Sequence, residues 1–393
     1  MNLNRSTLPR APGWLRAALL LVLLGGCGGG VDSGGTGGAA VYASGPINGF
    51  GSIIVNGVRF DDSTQNIADD EGTPRTRSEL KLGMVVEVRG SAIATDALTG
   101  ISSSAASSIT LGSEIVGPIA AGFNPAVASF VVLGRTIDVQ PTTVFADVGG
   151  MAALAAGNVV EVYGLYNAAS DRFTATRIEL KSANLSPYRI RGPISGLDSM
   201  AKKFLIGSEL IDYSTLGSGV PALTIGAVVR VRFGAPQING VWTATRLRDG
   251  ANRPDDGSHS KLEGVISGYS AAGFSIGGVP VTTGASVIEP VGSQLADGIR
   301  VEVEGTFASG VLAASRIEVE ASSGKPEFEF HGTVEVITLS TVTIHGGISI
   351  SYDGNTILKD FPAGGLVPGS NVEIKARLVN GTQLLATRIE YLP

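Results

Sequence analysis

The feature that most constrains this chain is an internal repeat. Gly45-Pro46-Ile47, Gly117-Pro118-Ile119, Gly192-Pro193-Ile194, Gly264-Val265-Ile266 and Gly332-Thr333-Val334 open five successive units at spacings of 72, 75, 72 and 68 residues. A period of this kind sets the architecture before any local reading, because each copy must fold in the same way. Each opening leads into a short alternating stretch that ends in glycine, as in Ser52-Ile53-Ile54-Val55-Asn56-Gly57 and Thr341-Val342-Thr343-Ile344-His345-Gly346. The glycine predicts a hairpin turn into a third strand. A fourth strand follows with alternate valines on one face: Val86-Glu87-Val88, Val160-Glu161-Val162, Val229-Arg230-Val231, Val301-Glu302-Val303 and Val372-Glu373-Ile374. The fifth carries Ala175-Thr176-Arg177-Ile178-Glu179 and its copies, degraded in the first repeat to Ala106-Ser107-Ser108-Ile109. Period-two alternation, β-branched residues and regular glycine punctuation predict strands throughout.

Five strands in about 65 residues bury little as an open sheet, and unpaired edges invite aggregation, so closure into a small barrel is expected. The long connection between strands three and four is where an oligonucleotide/oligosaccharide-binding (OB) barrel places its helix, and Met151-Ala152-Ala153-Leu154-Ala155-Ala156 is the one helical hint. The expected fold is all-β: five tandem five-stranded barrels, OB-like with an SH3-like barrel as the alternative, after a signal peptide and a flexible tether. The boundaries read as 1–26 for the signal, 27–44 for the tether, and 45–114, 115–187 and 188–250 for the first three barrels. A linker at 251–260 precedes barrels at 261–323 and 324–393. Units this small bury only about 60% of their unfolded surface. Packing between neighbours in a curved or extended array is therefore expected to share the load.

The Gly-x-Ile opening, Gly49-Phe50-Gly51-Ser52-Ile53-Ile54-Val55-Asn56-Gly57-Val58 and Leu80-Lys81-Leu82-Gly83-Met84-Val85-Val86-Glu87-Val88 together resemble the bacterial domain of unknown function 5666. The resemblance covers residues 45–393 with decreasing fidelity, and the later copies lose the Asn-Gly turn. It implies an exported, often lipid-anchored repeat protein, and it carries no activity.

The amino terminus points to export. Arg5, Arg10 and Arg16 precede the apolar run Ala17 to Leu24, which is followed by Gly25-Gly26-Cys27. Eight apolar residues rise about 12 Å as a helix, short of the roughly 30 Å a membrane span needs. Leu24-Gly25-Gly26-Cys27 resembles the lipobox of bacterial lipoproteins, which implies cleavage between Gly26 and Cys27 and acylation of Cys27. Several acyl chains meet the two-signal requirement for stable anchoring. Gly28 to Ala40 has few side chains to pack and reads as the tether. Gly28 stands where an aspartate would favour inner-membrane retention in enterobacterial lipoproteins, so the resemblance implies the outer membrane, facing the periplasm or the surface. Loss of residues 1–26 removes three arginines and no acid, taking the net charge from -6 to -9. That opposes binding to nucleic acid.

Little in the sequence suggests catalysis. One cysteine and three histidines, His259, His331 and His345, cannot supply a familiar metal framework. The histidines read as surface or turn residues, and no Gly-x-Ser-x-Gly elbow offers a nucleophile. Asp61, Asp62, Asp69, Asp70 and Glu71 form an acidic loop in the first repeat, where calcium has its best oxygen donors, although the spacing is not that of an EF-hand. Arg177 with Glu179, Arg316 with Glu318 and Arg388 with Glu390 lie two apart on one strand face and read as exposed ion pairs. Trp242, the one tryptophan outside the signal, aligns with Phe173, Leu312 and Leu384 and reads as core, leaving few aromatics for a stacking platform. The expected function is a non-enzymatic scaffold, structural or protein-binding, in the bacterial envelope. The alternative is a module binding an envelope glycan or small ligand through the barrel face and loops. No cofactor or metal is implied beyond the calcium possibility.

Overall fold

The computed structural model describes residues 39–393, apart from 64–65, 98, 184–186, 235, 251–252, 321–327 and 393. The signal, Gly26, Cys27 and most of the tether lie outside the described residues.

In the first repeat, Val41–Pro46 pairs antiparallel with the fourth strand, Val85–Gly90, while its continuation Gly49–Phe50 turns onto the second strand, Ile53–Val55. The second strand pairs with the third, Val58–Asp61, which runs parallel to the fifth, Ser102–Leu111, and the fifth returns antiparallel to the fourth. Strands therefore close in the order one, two, three, five, four, one. A single parallel pair between strands three and five closes an OB barrel, whereas the SH3 alternative would pair strand three with strand four. The same circuit recurs in the repeats that open at Ile115, Tyr188, His259 and Phe328. The second barrel completes its circuit through a single bridge between Ile119 and Val132. Where an OB barrel carries its helix, the first two repeats have only 3₁₀ turns, Arg77–Glu79 and Met151–Ala153.

Closure needs a sharp bend in the hairpin of strands four and five, and each copy bends at the same place. The register slips at Arg89/Gly90, Tyr163/Gly164, Arg232/Phe233, Glu304/Gly305 and Lys375/Ala376. A bulge there raises the local twist and curls the pair. At Gly305 the strands approach so closely that a Cβ would lie 2.1 Å from the Ala313 carbonyl oxygen.

The inward faces form the cores. Ile53, Phe130, Phe204, Phe274 and Val342, at one alignment position, are all buried, as are Phe173, Trp242 and Leu312 at another. Each such side chain contributes roughly 1.5–3 kcal/mol by leaving water. The cores of the second and third barrels merge into one cluster, while Tyr42 of the first repeat inserts into the core of the fourth and Val144 of the second into that of the fifth.

The expected packing between repeats is present within one compact unit, residues 38–393, but it does not follow sequence order alone. The opening strand of the first repeat continues in parallel into that of the fourth, from Val41 opposite His259 to Ser44 opposite Leu262. Gly49 and Phe50 pair with Glu329 and Phe330 of the fifth. The opening strands of the second and third repeats pair antiparallel at Val116 with Arg189 and Ile115 with Ile190. An opening strand that overhangs its barrel leaves backbone donors and acceptors bare, and another overhang satisfies them whatever its place in the chain. Loop closure over the longer separation adds little, since its entropy grows only logarithmically.

The boundaries shift accordingly. The first strand starts at Val41, inside the span read as tether, and His259 belongs to a strand, His259–Ser270, not to the linker. The linker itself is pinned where Arg89 Nε meets Asp255 Oδ2 at 2.8 Å.

Candidate functional site

Side chains alternate along a strand, so the residue between two core valines of strand four must face outward. In the five copies that residue is Glu87, Glu161, Arg230, Glu302 and Glu373. Its register partners on strands one and five, with the next outward residue along each strand, make a patch of six positions on each barrel. In the fifth repeat His331 and Glu329 of strand one lie opposite Glu373 and Lys375, which lie opposite Glu390 and Arg388. In the fourth the six are Glu263, Lys261, Glu302, Glu304, Glu318 and Arg316.

The third repeat departs from this pattern. Its six positions are Arg189, Arg191, Arg230, Arg232, Arg246 and Arg248, all in adjacent register across three strands. Two like charges about 5 Å apart repel by roughly 3 kcal/mol at an effective dielectric near 20, so such a grid needs acids from elsewhere. Neighbouring repeats supply them. Arg191 Nη1 donates to both Glu114 carboxylate oxygens at 3.0 Å, and its Nε donates to the Gly250 carbonyl at 2.6 Å. Arg230 meets Asp70 at 2.5 Å, Arg246 meets Glu71 at 3.2 Å, Arg232 also pairs with Glu71, and Arg189 pairs with Glu161. Burial alone would raise the Glu161 carboxyl, but Arg189 and Lys181 outweigh it and hold the group below its usual range.

This placement redistributes the acidic loop. Asp70 and Glu71 face the arginines of the third repeat, Asp69 meets Arg75 at 2.8 Å, Asp62 meets Arg77 at 2.9 Å, and Asp61 accepts from the Ser63 amide at 3.0 Å. The five carboxylates suggested for calcium are thus dispersed among cations and a turn, and they do not converge on one point. The exposed-pair reading of strand five holds only in part. Arg177 and Glu179 are buried in the seam with the first repeat, 2.5 Å apart, and Arg177 Nη1 donates to the Leu82 carbonyl at 3.1 Å. Arg316 and Glu318 are partly exposed, and so are Arg388 and Glu390.

The histidines also separate. His345 is exposed in a turn and meets Glu335 at 2.8 Å. His259 lies half-buried in a strand with Glu304 at 3.0 Å, and His331, 3% exposed, meets Glu329 at 2.6 Å, so neither is the surface or turn residue expected. Trp242 is core, with its indole N–H donating to Glu209 Oε2 at 2.6 Å.

A polar cleft of about 610 Å³ opens where the first three repeats meet, within the volume range of ligand pockets. Its walls carry Asp69, Glu71, Glu161 and Glu179 among the acids and Arg75, Arg177, Lys181 and Arg189 among the bases. Most of these groups already pair with one another. The one aromatic in its wall, Tyr163, is buried. Sequence reading missed the patch and its arginine grid, although Arg230 in the place held elsewhere by glutamate was the available signal.

Comparison with known proteins bears on the repeat directly. No curated protein matches the chain. A solved structure described as "drosophila Unr CSD456" is 14% identical and covers 53% of this chain and 98% of that one, but its TM-score of 0.13 carries no argument. Residues 43–112, 116–179, 263–318 and 331–390 match the family described as Domain of unknown function (DUF5666). The arginine-bearing third repeat lies between the matched stretches and closes in the same strand order. With more than half of its length matched in four tandem copies, the chain belongs to the DUF5666 family.

Proposed function

We propose that this is an exported, non-catalytic envelope protein, held to a membrane through acylated Cys27, that presents its barrels as a structural or protein-interaction scaffold. The observation that carries the reading is that the charged groups best placed to act on a ligand are engaged with other repeats, as in the arginine grid of the third. Each histidine faces a glutamate and not a serine or cysteine nucleophile. The lipobox-like Leu24-Gly25-Gly26-Cys27 and the mature charge of -9 support a membrane-held protein that avoids nucleic acid. The outer membrane is the proposed location, on the sequence argument from Gly28.

Intact-mass analysis of protein from membranes tests the anchor: acyl mass on an amino-terminal Cys27 is expected, and an unmodified Cys27 would end the proposal. For the scaffold, in-cell cross-linking should yield one reproducible envelope protein that then binds the purified chain in isolation. Capture of glycan instead would refute it.

A second reading rests on the 610 Å³ cleft, whose mixed charges suit a small polar or zwitterionic ligand. Thermal shift against a panel of amino acids, short peptides and muropeptides tests it, with Glu79→Gln and Lys81→Ala at the cleft wall expected to blunt any response.

A further inference from the structure

We propose that Glu329, His331 and Glu373 form a binding site for one divalent first-row transition-metal ion, with zinc the reference case. The three come together through strand geometry. Glu329 and His331 lie two apart on the opening strand of the fifth repeat and so face the same way, while Glu373 of strand four is the register partner of His331. One ligand atom from each lies within 4.8 Å of the others. Zinc bound at 2.0–2.2 Å would bring its ligands to about 3.4 Å apart, which side-chain rotation can reach. An imidazole with two carboxylates matches the donor preference of zinc and its neighbours better than that of calcium or magnesium.

Three further observations favour a cation here. His331 is 3% exposed, so an ion bound to its ring would be held away from bulk water. The ring's one side-chain partner is the Glu329 carboxylate at 2.6 Å, which leaves Nε2 aimed into the cluster. Both carboxylates are also steadied from outside, Glu373 by Arg388 at 3.1 Å and Glu329 by Lys375 at 3.9 Å, as outer partners steady metal ligands. The fourth repeat supplies an internal comparison. At the position of Glu329 it has Lys261, whose ammonium lies 2.9 Å from Glu302, the counterpart of Glu373. In the fifth copy the strand-one place of Lys261 is taken by Glu329, and the fixed cations Lys375 and Arg388 lie on strands four and five.

The site adjoins the seam with the first repeat. Gly51 packs so closely on the His331 backbone that a Cβ would lie 2.1 Å from its carbonyl oxygen, and Gly49 pairs with Glu329. A bound ion would stiffen the strand that carries this seam.

The test uses the full chain carrying Cys27→Ser, which removes the one thiol that could itself take zinc, stripped of metal and titrated with Zn²⁺. One ion per chain at micromolar or tighter affinity is expected, weakened at least tenfold in Glu329→Gln and in Glu373→Gln. Long-range ¹H–¹⁵N spectra of the three histidine rings give a readout that needs no variant. The His331 nitrogens should shift on zinc addition while those of His259 and His345 stay in place. Absence of saturable binding, affinity unchanged in both variants, or a shift confined to His259 or His345 would each overturn the site.

Discussion

Arg191 of the third barrel and Glu114, the residue just before the opening strand of the second, face each other, both buried, with one guanidinium nitrogen 3.0 Å from each carboxylate oxygen. Neither charge has water to fall back on. Removing one partner of a buried pair typically costs about 3–5 kcal/mol, because the other is left desolvated and alone, whereas replacing both with apolar residues is often neutral. Arg191→Met should therefore lower stability by about that amount in urea unfolding, and Arg191→Met with Glu114→Leu should recover most of it. A double variant as unstable as the single one would show that the loss came from other contacts.

Asn56 joins the first repeat to the fourth. It sits at φ 51° in the hairpin turn, and its Nδ2 donates to the Ser44 carbonyl at 3.0 Å and the Lys261 carbonyl at 2.8 Å. Asn56→Asp keeps the size and the tolerance of that conformation but removes both N–H donors. A loss of at least about 1–3 kcal/mol is expected, because both carbonyls lose their donor and a carboxylate would face them. Thermal melts of the two proteins under matched conditions measure it.

Two glutamates in equivalent positions should respond to pH in opposite directions. The Glu161 carboxyl is held below its usual value of 4.5, so its contribution to stability is complete above that value and is lost as pH falls through the depressed one. Glu302 is raised from 4.5 by burial, and Glu263 and Glu318 push the same way against Lys261. Its contribution is complete below 4.5 and is lost as pH rises through the raised value. Glu161→Gln should melt lower than the parent at pH 7 and approach it in acid, while Glu302→Gln should gain on the parent as pH rises. Parallel curves of melting temperature against pH for all three proteins would contradict both assignments.

Trp242 offers a spectroscopic test of whether the repeats act as one body. In a protein carrying Trp14→Phe it is the sole tryptophan, and it reports on the core that the second and third barrels share. Because the seams join cores and strands across repeats, its fluorescence midpoint in urea should coincide with that of far-ultraviolet circular dichroism. Separate midpoints would mean that the core shared by the second and third barrels unfolds independently of the rest.

Much of the fold was legible because barrel closure is written in local pattern. Val229 and Val231 alternate with outward residues, Gly57 follows Asn56 at a hairpin turn, and a long connection separates strands three and four in each copy. The alternation, the turn glycine and the long connection act over a few residues and survive in every repeat, even in the third, where the family match lapses, although the asparagine before the glycine does not. The candidate sites were less legible. Asp70 and Glu71 look like a calcium loop in sequence because the arginines that face them, Arg230 and Arg232, lie about 160 residues away. His331 reads as a residue beside an opening glycine until its strand is paired with the one carrying Glu373.

From the sequence alone follow the number of units, their β character, the inward set from Ile53 to Val342 and the lipobox-like context of Cys27. Backbone sterics and period-two patterning act locally, so one sequence suffices to read them. The tertiary structure decided which overhanging opening strands pair, and therefore that the first repeat meets the fourth and fifth as well as the second. It also decided which charges are buried together. Hydrogen-bond satisfaction at strand edges and Coulomb pairing across seams depend on distance in space, and separation along the chain does not encode that.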